Sequence, residues 1–190
     1  DTEMIKSDQI HRTLAMVSEI PTNDIETGKF ANNPMSRQKI YDSSQKIKDV
    51  PYFHRSIAGV ALEEQLAIMR RWITKNVGVQ SNGQANQCVI VYDYIKLMQS
   101  AEITSNMQEY QALGFLVSSL HNFAVRYHLP ILAFVQLNRD GINRESSDAI
   151  SGSDRVLWNS SNVTFFKNLT NEEKAEQGVQ KYNTKLVPIA

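Results

Sequence analysis

Residues 88–98 read CVIVYDYIKLM: a run of β-favouring apolar residues, then Asp93, then a second mostly apolar stretch. A continuous apolar run of this length is the pattern of a strand covered on both faces, the usual condition in a parallel sheet. The next long segment has Tyr110, Leu113, Val117, Leu120, Ala124 and Tyr127 spaced by three and four, which predicts an α-helix. Pro130 ends it, and ILAFV at 131–135 begins a second strand at once. Strand, helix, strand in this order is a parallel crossover, and such units build α/β sheets with helices on both faces.

Outward from this unit, NVTFF at 162–166 and KLVPI at 185–189 are further strand candidates, with Pro188 placing the second at an edge or an end. Toward the amino terminus, Leu62, Leu66, Met69 and Ile73 step by four, three and four, a helix with one buried stripe and Glu63, Glu64, Arg70 and Lys75 outside. The turn SNGQANQ stops it. An earlier helix carries Ile10, Leu14 and Val17, with Ser7 and Asp8 as candidate caps and Pro21 beyond its end. Another starts near Ser36, and YFHRS at 52–56 gives a short extended piece. There is no internal repeat, low-complexity tract or linker, so residues 1–190 are expected to form a single domain.

Composition narrows the function. The 20 basic and 20 acidic side chains balance, with a pI near 7.1, so no overall field gathers nucleic acid or an anionic membrane; any such contact is local. A single cysteine, Cys88, excludes an internal disulfide, and no long apolar span or signal sequence is present, which points to a cytoplasmic protein with no membrane partner. The opening on Asp1 and the closing KLVPIA read as a piece of something longer.

In open α/β sheets, ligands bind beyond the carboxyl ends of the strands. Asp93 and Gln136 both take that position. A carboxylate there can hold hydrated Mg²⁺ on a nucleotide, and a neutral amide can hydrogen-bond a terminal phosphate. Taken singly, Asp93 also reads as a turn cap and Gln136 as a solvated loop amide. Gly28-Lys29 is not a phosphate-cradling loop, since Phe30 stands where Ser or Thr is required. The four histidines lack close metal-ligand spacing, while Cys88, Trp72 and Trp158 read as packing residues. The long segment LNRDGINRESSDAISGSDR, 137–155, is a candidate functional loop.

Together these pieces resemble the RecA-like motor domain of hexameric replicative DNA helicases, the DnaB-like family of bacteria and phages. DTEM at 1–4 resembles the family's Ser-Leu-Glu-Met, and IETGKF at 25–30 its Ile-x-Thr-Gly segment. VYDYIKLM at 91–98 is similar to its Walker B run, Asp-Tyr-Leu-x-Leu-Met. NMQEY at 106–110 resembles the segment after the first DNA-facing loop. LPILAFVQLNR at 129–139 is similar to the specific Val-Pro-Val-x-Ala-x-x-Gln-Leu-Asn-Arg, and ISGSD at 150–154 to the second DNA-facing loop.

The resemblance implies a mostly parallel RecA-like sheet, present here in part, with ATP and Mg²⁺ as ligands. In it Glu3 polarises the attacking water, Asp93 holds Mg²⁺ through its hydration shell, and Gln136 contacts the γ-phosphate. Arg139, Arg144, Ser151, Gly152 and Ser153 would contact single-stranded DNA. The family's arginine ahead of Ser-Gly-Ser falls on Ala149 or Ile150, leaving Arg144 or Arg155 to substitute. Other copies of the chain in a six-membered ring, and a primase or helicase loader, are the partners it implies. The P-loop and the Lys-x-Arg finger are expected upstream of residue 1 and after Ala190, so these 190 residues alone are expected to be inactive. A RecA-like recombinase or regulatory ATPase, and a catalytically dead RecA-like module docking on a helicase or nucleic acid, are the alternative readings.

Overall fold

The computed structural model describes residues 1–96, 109–136, 154–178 and 183–188. It divides into two compact units, Asp1–Ala58 and Gly59–Ala190.

In the first unit, α1 (Lys6–Ser18) packs against α2 (Thr22–Glu26) and α3 (Pro34–Lys48). Ser7 and Asp8 do not cap α1. Its N-cap is Ile5, with no side-chain cap, because the helical hydrogen bonds already begin with the Gln9 amide donating to the Ile5 carbonyl. The helix ends on Glu19 in the left-handed region, two residues before Pro21. A short 3₁₀ turn, Lys29–Asn32, precedes α3. That helix begins two residues before Ser36, because Asn33 accepts from the Met35 and Ser36 amides and Pro34 fills a position where no N–H is needed. Residues 51–57 return extended, and the Asp1 nitrogen donates to Arg55 O (3.0 Å) while Ile57 N donates to Asp1 O (2.7 Å). That alternation is the hydrogen-bond pattern of a parallel bridge.

In the second unit, α4 (Leu62–Trp72) runs into a π-helical turn, Ile73–Val77. The turn closes on Gly78 at φ 91°, where a Cβ would meet Asn86 Nδ2 at 2.8 Å. An antiparallel bridge between Val79 and Ala85 closes the SNGQANQ turn, and β1 (Ile90–Ile95), α5 (Glu109–Tyr127) and β2 (Ile131–Val135) follow. β1 and β2 pair in parallel, Ile90 opposite Ile131 and Val91 opposite Leu132. The crossover expected from the sequence is therefore present.

The core of this unit gathers Ile73, Ala85, Phe123, Tyr127 and Leu129, with Leu66, Met69, Trp72, Cys88, Ile90 and Ile131 against it. These are the stripe of α4, the end of α5 and one face of the strand pair. Val89 and Val91, expected to be covered, remain about half exposed, as do Leu132 and Phe134 on β2. Side chains alternate across a strand, and α4 and α5 serve the face that carries Ile90 and Ile131.

Past α6 (Asp154–Trp158), which packs against α5, β3 (Thr164–Asn168) and β4 (Thr184–Pro188) form a separate antiparallel pair. Asn168 faces Thr184, so α7 (Asn171–Gln177) is an excursion at the end of a hairpin. Thr170 and Glu173 close a capping box at its start, and Lys185 reaches back to Glu173 at 2.6 Å. Trp158 is not a packing residue. It is 79 % exposed, whereas Val156 of the same helix is buried. Among the described residues, no helix is long and apolar enough to cross a membrane.

Candidate functional site

Parallel strands carry their carboxyl ends to the same edge, so the pairing of β1 with β2 brings Asp93 and Gln136 to one edge of the pair. Their surroundings differ. Regular register runs to Tyr92 opposite Ala133 and resumes at Ile95 opposite Val135, which leaves Asp93 and Tyr94 together against Phe134. Two residues against one is the arrangement of a bulge, which interrupts the ladder and re-aims side chains next to functional sites. Asp93 therefore lies inside β1, at the interruption, and not beyond the strand's end. The Asp93–Tyr94 peptide is cis. Asp93 is half-buried, and Gln136, the first residue after β2, is exposed.

Behind this edge runs a buried polar chain. The Tyr92 hydroxyl donates to Gln65 Oε1 at 2.7 Å, and Gln65 Nε2 donates to the Val60 carbonyl at 2.6 Å. Burial pushes the Tyr92 hydroxyl well above its ordinary pKa. In front, Lys96 stands over the Tyr94 ring at 5.7 Å, a cation–π contact that keeps a positive charge on this edge. The sequence marked none of these residues, because a Tyr in a strand and a Gln after two glutamates carry no local signal of pairing.

The donor set at this edge suits one class of ligand. No group of three or more His, Cys, Asp or Glu side chains could hold a metal among the described residues, so no all-protein cage exists there. A carboxylate in β1 and an uncharged amide after β2 are residue types that suit a hard, hydrated cation taking its remaining oxygens from water and a phosphate.

Glu3 belongs to the first unit. It follows the parallel bridge of Asp1 and is exposed, and its amide and that of Met4 both donate to Asp1 Oδ1 at 2.8 Å. The Asp1 carboxylate thus holds the turn that carries Glu3. His54 Nε2 lies 3.7 Å from Asp1 Oδ2, and burial lowers its pKa. The Gly28-Lys29 pair flanks an open cavity of about 430 Å³, lined by Lys29 together with Glu19, Asp24 and Lys39, where acidic and basic groups balance. Arg139, Arg144, Ala149, Ile150, Ser151, Gly152 and Ser153 lie outside the described residues, as does the side chain of Arg155.

Residues 1–165 match the family described as the DnaB-like helicase C terminal domain. Over 158 residues the chain is 25% identical to the replicative DNA helicase DnaB of Mycoplasma genitalium, covering 80% of this chain and 31% of that protein. Among solved structures, one ATPase domain is similar with a TM-score of 0.78 at 16% identity, over 99% of this chain and 64% of that one. A DnaB-like replicative helicase, whose structure was described together with its interactions with primase, is similar with a TM-score of 0.76 at 15% identity, over 97% of this chain and 44% of that one. At these identities the structural likeness establishes the fold, a RecA-like α/β ATPase fold present in part.

Proposed function

The chain belongs to the DnaB-like helicase C-terminal domain family, and from that premise we propose that it is part of an ATP-driven motor that moves along single-stranded DNA and unwinds duplex. Because the chain spans 31% of the DnaB relative, this activity is assigned to the native protein that carries it. Both compact units are read as parts of one ATPase domain, residues 1–190, working in the cytoplasm as one subunit of a six-membered ring. Single-stranded DNA passes along Arg139, Arg144 and Ser151–Ser153, and a primase or loader is the further partner.

The observation that carries this reading is the shared carboxyl edge of β1 and β2, with Asp93 at a break in the ladder and Gln136 immediately after its strand. Bound Mg²⁺ would supply charge neutralisation on the phosphates of ATP. Asp93 orients the hydrated ion by accepting from its water. Gln136 hydrogen-bonds the terminal phosphate, and its position at the head of segment 137–153 links loss of that phosphate to the DNA-contacting residues. Glu3 orients the attacking water and accepts its proton. Phosphoryl transfer asks for in-line placement and charge stabilisation more than for covalent chemistry; Glu3 and Gln136 serve the placement, and the ion held by Asp93 would supply the charge stabilisation.

Gln136→Ala in the native protein tests the reading. ATP binding should persist, while the stimulation of hydrolysis by single-stranded DNA is lost. Stimulation at the wild-type level would exclude Gln136 as the link, whereas a native protein that binds DNA with no stimulated hydrolysis would favour a docking module.

A further inference from the structure

We propose that Tyr92 and Gln65 are positioning residues for Asp93: their buried hydrogen bond sets the place at which the end of β1 presents its carboxylate. The inference rests on the reading of Asp93 as the metal-orienting group.

Its basis is the joint between α4 and β1. Tyr92 is 2 % exposed and Gln65 1 % exposed, so neither polar end is satisfied by water. They are satisfied by a chain with one possible direction. The Val60 carbonyl accepts from the Gln65 amide nitrogen, which turns the amide oxygen toward Tyr92, and the phenol must then donate. Two aliphatic side chains of similar volume would fill this space at the cost only of the donor to the half-buried Val60 carbonyl. The polar chain therefore adds directional constraint, since a hydrogen bond tolerates displacements of only a few tenths of an ångström whereas an apolar contact slides.

What it constrains is the last regularly paired residue before the site. Tyr92 faces Ala133 in register, and the next paired position is Ile95, so Asp93 and Tyr94 are not held by the regular ladder. Asp93 takes its placement from the residue before it. Tyr92 in turn is fastened to Gln65, in the first turn of α4, and through it to Val60 just ahead of that helix. The other end of α4 is anchored by Ile73 in the core. This chain thus ties β1 to the start of α4 at the residue immediately before the carboxylate.

The experiment measures the Mg²⁺ half-saturation of DNA-stimulated ATP hydrolysis in the native protein for Tyr92→Phe, Gln65→Leu, the double variant and Asp93→Asn. Tyr92→Phe should raise the half-saturation about fivefold, the net contribution of one hydrogen bond, with the KM for ATP at saturating Mg²⁺ unchanged. The double variant, with an apolar pair in place of the polar one, should recover thermal stability and keep the raised half-saturation. A core-filling role predicts the opposite, with the double variant returning to wild type in both. Wild-type half-saturation in Tyr92→Phe or in the double variant, with Asp93→Asn shifted, would overturn this inference and leave the role of Asp93 standing. Wild-type half-saturation in Asp93→Asn would overturn both.

Discussion

Ile73 is fully buried where α4 passes into its π turn, and it touches elements that are distant in sequence: Ala85 on the turn, and Phe123, Tyr127 and Leu129 at the end of α5. Ile73→Ala removes three carbon groups from this cluster, or about 2.4 kcal/mol of transfer free energy at ~0.8 kcal/mol per group. The cavity left among rigid neighbours brings the cost to about 3–4 kcal/mol. Val91→Ala provides the contrast. It removes two groups from a side chain that is 49 % exposed, so its cost is about 0.8 kcal/mol. Urea unfolding followed by Trp72 fluorescence reads the cluster directly, because Trp72 packs on it; Trp158→Phe as background removes the emission of the exposed tryptophan. With a slope of about 1–3 kcal/mol per molar urea, Ile73→Ala should lower the midpoint by ~1–4 M, and Val91→Ala by ~0.3–0.8 M. A cost for Ile73→Ala below about 1 kcal/mol, or equal to that of Val91→Ala, would refute the placement of the core at this joint.

Burial raises the Tyr92 hydroxyl above its unfolded value of about 10, so the unfolded state releases that proton first and stability falls as pH climbs through that range. Tyr92→Phe should flatten the decline of the urea midpoint between about pH 9 and 11, and an unchanged slope would contradict the buried phenol. Glu173 has the opposite sign: the Lys185 side chain, then the Thr170 backbone, hold its carboxyl below the ordinary range, so its contribution is present above about pH 4.3 and is lost as pH falls. Lys185→Met should reduce the acid sensitivity of the β3–β4 hairpin, read by amide exchange on its strands. Arg139→Ala with Arg144→Ala should weaken single-strand binding by the native protein equally across sequences and flatten its salt dependence by up to about one unit of slope per lost phosphate contact. Unchanged affinity and slope would show that DNA passes elsewhere.

What the sequence made legible followed from periodicity and punctuation. The stripe Leu62, Leu66, Met69 and Ile73 gave a helix because burial repeats at helical intervals there, and the run ILAFV after Pro130 gave a strand as a short apolar stretch behind a break. Asp93 and Gln136 stood out as polar residues closing apolar runs; Gln136 does follow β2 directly, whereas Asp93 lies within β1 at the break in the ladder. Contacts between distant residues left no such trace. Nothing local announces that Gln65 pairs with Tyr92, or that Asp1 closes the turn ahead of α1 and leaves Ser7 and Asp8 inside the helix. The bulge at Asp93 depends on how β2 lies beside β1, which one strand's sequence does not encode. Trp158 and Val91 are apolar by type yet exposed, because burial depends on what covers a face and not on the residue alone.

The most direct test of the motor reading concerns Glu3, the residue proposed for water activation. Glu3→Gln in the native protein keeps the shape and polarity of the side chain and removes only its basicity. Nucleotide binding and single-stranded-DNA-stimulated ATP hydrolysis should be measured on the same preparation. Binding is predicted to remain near wild type while stimulated turnover falls by ~10²–10⁴-fold, the contribution of a general base; stimulated hydrolysis near the wild-type rate would contradict the role proposed for Glu3 and the motor reading that depends on it.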